Sequence, residues 1–446
     1  IFSIFRYNFR TTNRSPLSIA MFKKTFFQVH WFLGITAGLI LSLMGVTGAI
    51  YSYEQQILKW MNPDSYTVQA TQNNKLTPAE LYLHFQKQDS AIKINSITIA
   101  QEPTTSSTVN IEKEGARRGY NMMVNPYTAE VLPEVKGREF FNFIQQLHRN
   151  LTVGPVGKQI TGACTLMLIF FVLSGLYLRW PKRHSIKQWF FIKPKLKGRN
   201  FIWDLHAVVG TWLVIFYLIL ACTGLYWSYD WWRDGMFKVL GVERPQAQMQ
   251  EGPRPNADAQ GPRGEQAGAR GGESREQGRG GPQGEHTARG ERGQGEQHGE
   301  RKGLSPEQVQ IALTQTWTGF NAQVGRDYST LTLNIPKKPD GTLELSFVDA
   351  IPQHERARNS AVFNYQTSQI EKMELYEQKK LNEKIMSSML PVHRGSFFGP
   401  IYQFFAMFAS LMMPLFFVTG WMLYLKRRKQ KKLTQQARGG AVNVPV

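Results

Sequence analysis

Two short stretches place an arginine directly after a histidine and a Gly-Pro six residues beyond it: "LHRNLTVGP" (147–155) and "VHRGSFFGP" (392–400). Ser174-Gly175 follows His148 at +26 and +27, and Thr419-Gly420 follows His393 at the same offsets. Two more histidines share a different frame. Gly34, Thr47-Gly48 and Ser52-Tyr53 follow His30 at +4, +17/+18 and +22/+23, and Gly210, Thr223-Gly224 and Ser228-Tyr229 follow His206 at the same distances. An acid comes next each time, Glu54 and Asp230. Neutral imidazole is the commonest protein ligand for metals, so four histidines at matched positions are candidates for paired ligation.

All four border apolar runs: about 31–51, 159–179, 207–227 and 401–425. Each has the roughly 20 residues that a helix needs to cross a hydrocarbon core of about 30 Å. None has Asp, Glu, Lys or Arg in its middle. Lys/Arg excess marks the cytoplasmic side. It lies before the first run (Lys23, Lys24), after the second ("RWPKRHSIKQWFFIKPKLKGR") and after the fourth ("LKRRKQKK"). Both termini and the 181–202 loop are therefore expected inside. The net charge of +20 reads as topology and attraction to anionic lipid, not as nucleic-acid binding. His30 and His206 then lie near the cytoplasmic face, and His148 and His393 near the outer face. A two-fold axis along the membrane normal would bring each pair together, as parallel repeats allow.

Two facing neutral imidazoles at each face suit a six-coordinate haem, which leaves no open site for O2 and relays single electrons. The expected cofactors are two haem b groups: one held by His30 and His206, the other by His148 and His393. Arg149 and Arg394 would meet haem propionates, because guanidinium pairs with carboxylate as a bidentate fork. Gly34, Gly48, Gly210 and Gly224 would leave room beside the helices. Two histidines with no carboxylate or cysteine beside them are thin ligation for a bare zinc, copper or iron ion. No charged residue lies mid-span to serve an ion path.

The remaining sequence frames these spans. The expected order is a 1–24 tail, a span over 25–53, an outer domain over 54–147 and a span over 148–180. After the 181–202 loop come a span over 203–230, an outer domain over 231–392, a span over 393–425 and a 426–446 tail. Met21 reads as a natural start. "LTPAEL" and "LSPEQV" each offer a helix N-cap with Pro at the first helical position, and alternating strands follow each one. "NPYTAEV" and "NYQTSQI" read as hairpin turns. The fold class is thus an α-helical membrane protein, with four transmembrane helices from a duplicated unit and two small α+β outer domains. Residues 244–303, rich in Gly, Arg, Glu and Gln, are expected to be disordered. Cys164 and Cys222 are the only cysteines and both lie in spans, so no disulfide is expected outside. His84, His184 and His354 have no counterpart in the other copy and read as ordinary surface or partly buried residues. His286 and His298 fall in the insertion. Tyr53, Tyr229, Trp231 and Trp232 lie near the outer level, where they would line an acceptor site or form an interfacial belt.

"HWFLGITAGLILSLMGVTGAIYSYE", "LHAVVGTWLVIFYLILACTGLYWSYD", the two "HR…GP" entries and "NPYTAEVL" resemble the PepSY-associated transmembrane family. The resemblance covers nearly all of the chain outside the insertion and the tails. It implies an iron-regulated protein of the bacterial inner membrane with PepSY outer modules. Some members are di-haem reductases of periplasmic ferric siderophores. Residue by residue, it places the haem-ligand role on His30, His148, His206 and His393. Some relatives append flavin and nicotinamide domains. With no G-x-G-x-x-G in a strand–helix setting here, the electron donor is expected to be separate: a reduced flavin, a reductase or quinol. The expected activity is electron transfer from the cytoplasm to a periplasmic acceptor, a ferric siderophore, with release of Fe(II). The alternatives are a non-redox PepSY protein that binds peptide or regulates a periplasmic protease, and a metal or solute permease.

Overall fold

A computed structural model describes residues 16–114, 116–180, 185–243 and 304–440. The 244–303 insertion, His184, His286 and His298 lie outside the described residues. The apolar runs become helices α1 (Pro16–Ser52), α4 (Gly154–Arg179), α5 (Gly198–Ser228), and the consecutive pair α9 (Pro400–Leu411) and α10 (Met413–Gly440). Within them, Met21–Ser52, Gly154–Arg179, Gly198–Ser228 and Pro400–Gln436 are long and apolar enough to cross a membrane. The helix α1 packs on α4 and on α9–α10, and α5 packs on the same two partners. Leu41, Leu168, Leu213 and Met413 fill the space between them. Leu39, Leu173, Ile215 and Val418 stay exposed on the outside, as a lipid-facing bundle requires.

The α9/α10 break falls at Met412, two residues before Pro414, which has no N–H to give the Ser410 carbonyl. That carbonyl lies against α1 at Gly45, where an added Cβ would come within 2.4 Å of the oxygen. A bare backbone position in α1 thus accommodates the kink.

The main elements outside the spans include α2 (Pro78–Gln88), β1 (Ile94–Ala100), β2 (Ser107–Lys113), β3 (Ala116–Val124), α3 (Arg138–Asn150), α6 (Asp230–Leu240), α7 (Pro306–Val324), β4 (Tyr328–Asn334), β5 (Thr342–Asp349), β6 (Arg358–Asn364), β7 (Gln369–Glu374) and α8 (Met389–Arg394). Both expected N-caps form capping boxes, Thr77 with Glu80 and Ser305 with Gln308. The "NYQTSQI" turn closes a β6–β7 hairpin from Asn364 to Gln369. The "NPYTAEV" turn returns only as far as a single bridge, Val124 to Val131.

The two domains expected outside the membrane are not separate. All seven strands form one antiparallel sheet in the order β3-β2-β1-β4-β5-β6-β7. The junction is β1 on β4, from Ser96↔Asn334 to Ala100↔Thr330. A three-stranded and a four-stranded sheet would each have left a long edge of unpaired N–H and C=O groups, and joining them removes one edge from each. The helices α2 and α7 pack together over Ile97, Val109, Leu331, Leu345 and Phe347.

The expected spans over 148–180 and 393–425 also divide. His148 lies in the last turn of α3, and His393 in the last turn of α8. The chain then turns before each span begins. After α3 it turns through Leu151 (φ 53), Thr152 (φ 61) and Gly154 (φ 61), and after α8 through Gly395 and Gly399, both at φ 91. Pro155 and Pro400 start the new helices, where a missing N–H costs nothing. Each His-Arg…Gly-Pro stretch is therefore a helix end, a left-handed turn and a fresh helix start. At the first turn, Thr161 Oγ1 donates to the Arg149 carbonyl at 2.7 Å. A Cβ on Gly157 would fall 1.6 Å from the Asn150 carbonyl oxygen. Gly157→Ala is expected to force α3 off α4 and to destabilise the protein by about 3 kcal/mol, the upper part of the overpacking range. Thermal unfolding in detergent measures it; an unchanged midpoint would contradict this packing.

Candidate functional site

The four histidines form two pairs at opposite ends of the bundle. On the side of the sheet, His148 and His393 face one another, with ring centres 6.3 Å apart and planes inclined at 57°. Each ring lies against a glycine of a spanning helix. A Cβ on Gly48 would meet His148 Cε1 at 2.9 Å, and one on Gly224 would meet His393 Cε1 at 3.3 Å. These two glycines are required for the close approach. At Gly34 a Cβ would meet nothing within 4 Å, and at Gly210 only Phe416 at 3.4 Å.

His30 in α1 and His206 in α5 form the second pair, within electrostatic reach of one another. His30 packs edge-on against Phe171 and His206 against Phe416, at 5.4 and 5.2 Å between ring centres. Eighteen residues separate His30 from Gly48, and His206 from Gly224. At 1.5 Å per residue the two pairs are about 27 Å apart along the helices.

Each of these four histidines has a hydroxyl at Nδ1. Ser174 Oγ is 2.7 Å from His30 and Thr419 Oγ1 is 2.7 Å from His206. Thr223 Oγ1 is 2.8 Å from His393 and Thr47 Oγ1 is 3.3 Å from His148. The Met44 carbonyl also lies 2.9 Å from His148 Nδ1. These hydroxyls are the Ser/Thr of the four Ser/Thr-Gly pairs that mark the matched frames. Sequence comparison located them without revealing their contact with the histidines.

Residues 27–427 match the family model described as the PepSY-associated TM region. The chain belongs to the PepSY-associated transmembrane family. All four histidines, Arg149 and Arg394 lie inside the matched region. A search of curated proteins returns no match to the chain.

In this PepSY-associated chain, a cavity of about 1150 Å³ opens beside the sheet-side pair and is lined by both histidines, Gly48 and Gly224. Arg149, Lys158, Arg356, Lys379 and Arg394 bring positive charge to it, opposed by Glu54, Glu243 and Glu383. The two arginines of the matched frames differ. Arg394 is buried, donates to Glu54 Oε2 at 3.3 Å and lies over the Tyr51 ring at 5.1 Å. Its Nε is buried with no hydrogen-bond partner. Arg149 is exposed. The acid equivalent to Glu54, Asp230, pairs with Arg233 of its own helix instead. Among the described residues there is no group of three or more His, Cys, Asp or Glu that could hold a bare metal ion.

Tyr53, Tyr229, Trp231 and Trp232, expected to line an acceptor site or to form an interfacial belt, do not line this cavity; Tyr51, Tyr226 and Trp227 do. Tyr229 is stacked on Trp231 and packed against Gly162, and Trp232 donates to the Cys222 carbonyl. Trp227 sits edge-on to His393 at 5.4 Å.

His354 is buried, deeper than the surface or partly buried position the sequence suggested, and it joins the sheet to the His393 segment. Its Nδ1 accepts from the Arg356 N–H at 3.0 Å, so its Nε2 carries the proton and donates to Tyr376 Oη at 2.9 Å. Tyr376 in turn contacts Ser388 Oγ at 3.1 Å, and the imidazole packs on Phe397. Ser396 Oγ donates to Glu355. Burial lowers the His354 pKa, against the pull of Glu355 and helped by Arg356. The unfolded chain then binds the extra proton first. Stability is full above the ordinary value near 6.5 and is lost as pH falls below it toward the folded value. The wild type should therefore lose thermal stability as pH falls below about 6.5, and His354→Gln should flatten that part of the profile. Parallel profiles would exclude His354 as the titrating group.

Proposed function

We propose that the chain is a di-haem b-type oxidoreductase of the bacterial inner membrane, built from a duplicated helix–PepSY–helix unit. It passes electrons from a separate cytoplasmic donor to a ferric siderophore on the side of the sheet. The supporting observation is the outer pair. Two imidazole nitrogens, each about 2 Å from one metal, would put their ring centres about 6 Å apart, against 6.3 Å here.

The surroundings fit the same group. The glycines that admit the rings, the adjoining cavity and the buried, unpartnered Arg394 Nε suit a macrocycle that carries carboxylates. When bound, two bis-histidine haems supply one-electron relay without an open site for O2. His148 and His393 would hold one, and His30 and His206 the other. Arg394 and Arg149 would offer guanidinium forks to the propionates. The apolar helices keep water from the space between the pairs. The cationic rim of the cavity favours an anionic acceptor at the outer end. Reduction of the siderophore's iron to Fe(II) weakens its hold on hard oxygen donors and releases it. Lys23, Lys24 and the Lys/Arg run after Leu425 support termini in the cytoplasm.

The test is the visible spectrum of detergent-purified protein, expressed with ample haem supply. Sharp dithionite-reduced α and β bands at about two haems per chain, followed by reoxidation on adding a ferric siderophore with Fe(II) appearing in a chelator assay, are expected. A colourless protein would overturn the reading.

A further inference from the structure

A hydroxyl has one proton, and at each histidine that proton is already engaged. Ser174 Oγ donates to the Phe170 carbonyl at 2.6 Å, and Thr419 Oγ1 to Leu415 at 2.6 Å. Thr223 Oγ1 donates to Ile219 at 2.5 Å, and Thr47 Oγ1 to Leu43 at 2.7 Å. Each is the bond back to residue i−4 that Ser and Thr make inside helices. The same oxygen can then only accept from the imidazole beside it, so the histidine proton sits on Nδ1. At His148 the Met44 carbonyl, 2.9 Å from Nδ1, requires this independently, because a carbonyl cannot donate. The inner pair has the hydroxyls alone.

We propose that Ser174 and Thr419, with Thr223 and Thr47 at the outer pair, are positioning residues for the ligands. They hold each imidazole as the Nδ1–H tautomer, with the Nε2 lone pair free for iron. The relay from Nδ1–H through hydroxyl to carbonyl also polarises the ring. A more basic ligand favours the ferric state and lowers the reduction potential. This rests on the haem reading above.

The test is a redox titration of the holoprotein, with haem counted per chain. Thr419→Val keeps the shape and removes the hydroxyl; Ser174→Ala removes one oxygen; Thr419→Ser restores it. The inner haem of Thr419→Val and Ser174→Ala should shift upward, by about tenfold in its one-electron equilibrium (about 59 mV), and Thr419→Ser should match the wild type. Thr47→Val should move the outer haem far less, since the Met44 carbonyl remains. If Thr419→Val loses the inner haem, retention by Thr419→Ser supports the inference and loss there overturns it. Full haem content with unmoved potentials in both inner variants overturns it while the haem reading stands. A wild type without haem overturns both.

Discussion

His393→Ala is expected to bind one haem per chain instead of two and to stop reduction of the ferric siderophore. The remaining haem should still reduce from the cytoplasmic side. His393 supplies one of only two imidazoles at the outer pair, 6.3 Å from the other. The loss should be specific. The ring is half-buried, its bond to Thr223 is one neutral hydrogen bond, and the end of α8 is held by the Gly395 turn rather than by the imidazole. His206→Ala should give the mirror result, with the outer haem retained and no electron entry from the donor side. Difference spectra and haem content measure both. Two haems in His393→Ala would show that this pairing is wrong.

Arg394→Ala is expected to be the most destabilising change at the sheet-side junction, by about 3–5 kcal/mol, the cost of breaking a buried ion pair from one side. Burial already pushes the Glu54 carboxyl up, and Arg394 opposes that push. Without the guanidinium, the carboxylate is stranded at the end of α1, and the contact over Tyr51 is lost as well. Glu54→Gln combined with Arg394→Ala should recover much of the stability, because it removes the stranded charge. The outer haem's occupancy should not recover, because the guanidinium is still missing. Arg149→Ala, at an exposed position, should cost well under about 1 kcal/mol. Thermal unfolding of the variants with and without haem measures these effects, and equal losses at Arg149 and Arg394 would contradict the asymmetry.

The four spans were legible because length and apolarity are local: about 20 uncharged residues suffice to mark a membrane-crossing helix. The caps at Thr77 and Ser305 were legible for a similar reason, since capping involves residues three apart. The candidate histidines were legible because the same offsets recur twice in one chain. What escaped was set at a distance along the chain. Neither outer unit signals by itself that β1 will pair with β4, about 230 residues away; edge-to-edge pairing depends on which strands are brought alongside. The burial of His354 escaped for the same reason, since Phe397 and Tyr376 reach it from other segments.

By itself, then, the sequence determined a membrane protein of the PepSY-associated family, its spans and its four candidate histidines. Only the tertiary structure decided that His148 and His393 stand on short helices before their spans. It also decided that Gly48 and Gly224 make room for their rings, and that Arg394 alone of the two arginines is buried. The hydroxyl at each Nδ1 was likewise visible only there. A repeat records which residue types recur, whereas contact, burial and the direction of a hydrogen bond depend on what folds against each residue from elsewhere in the chain.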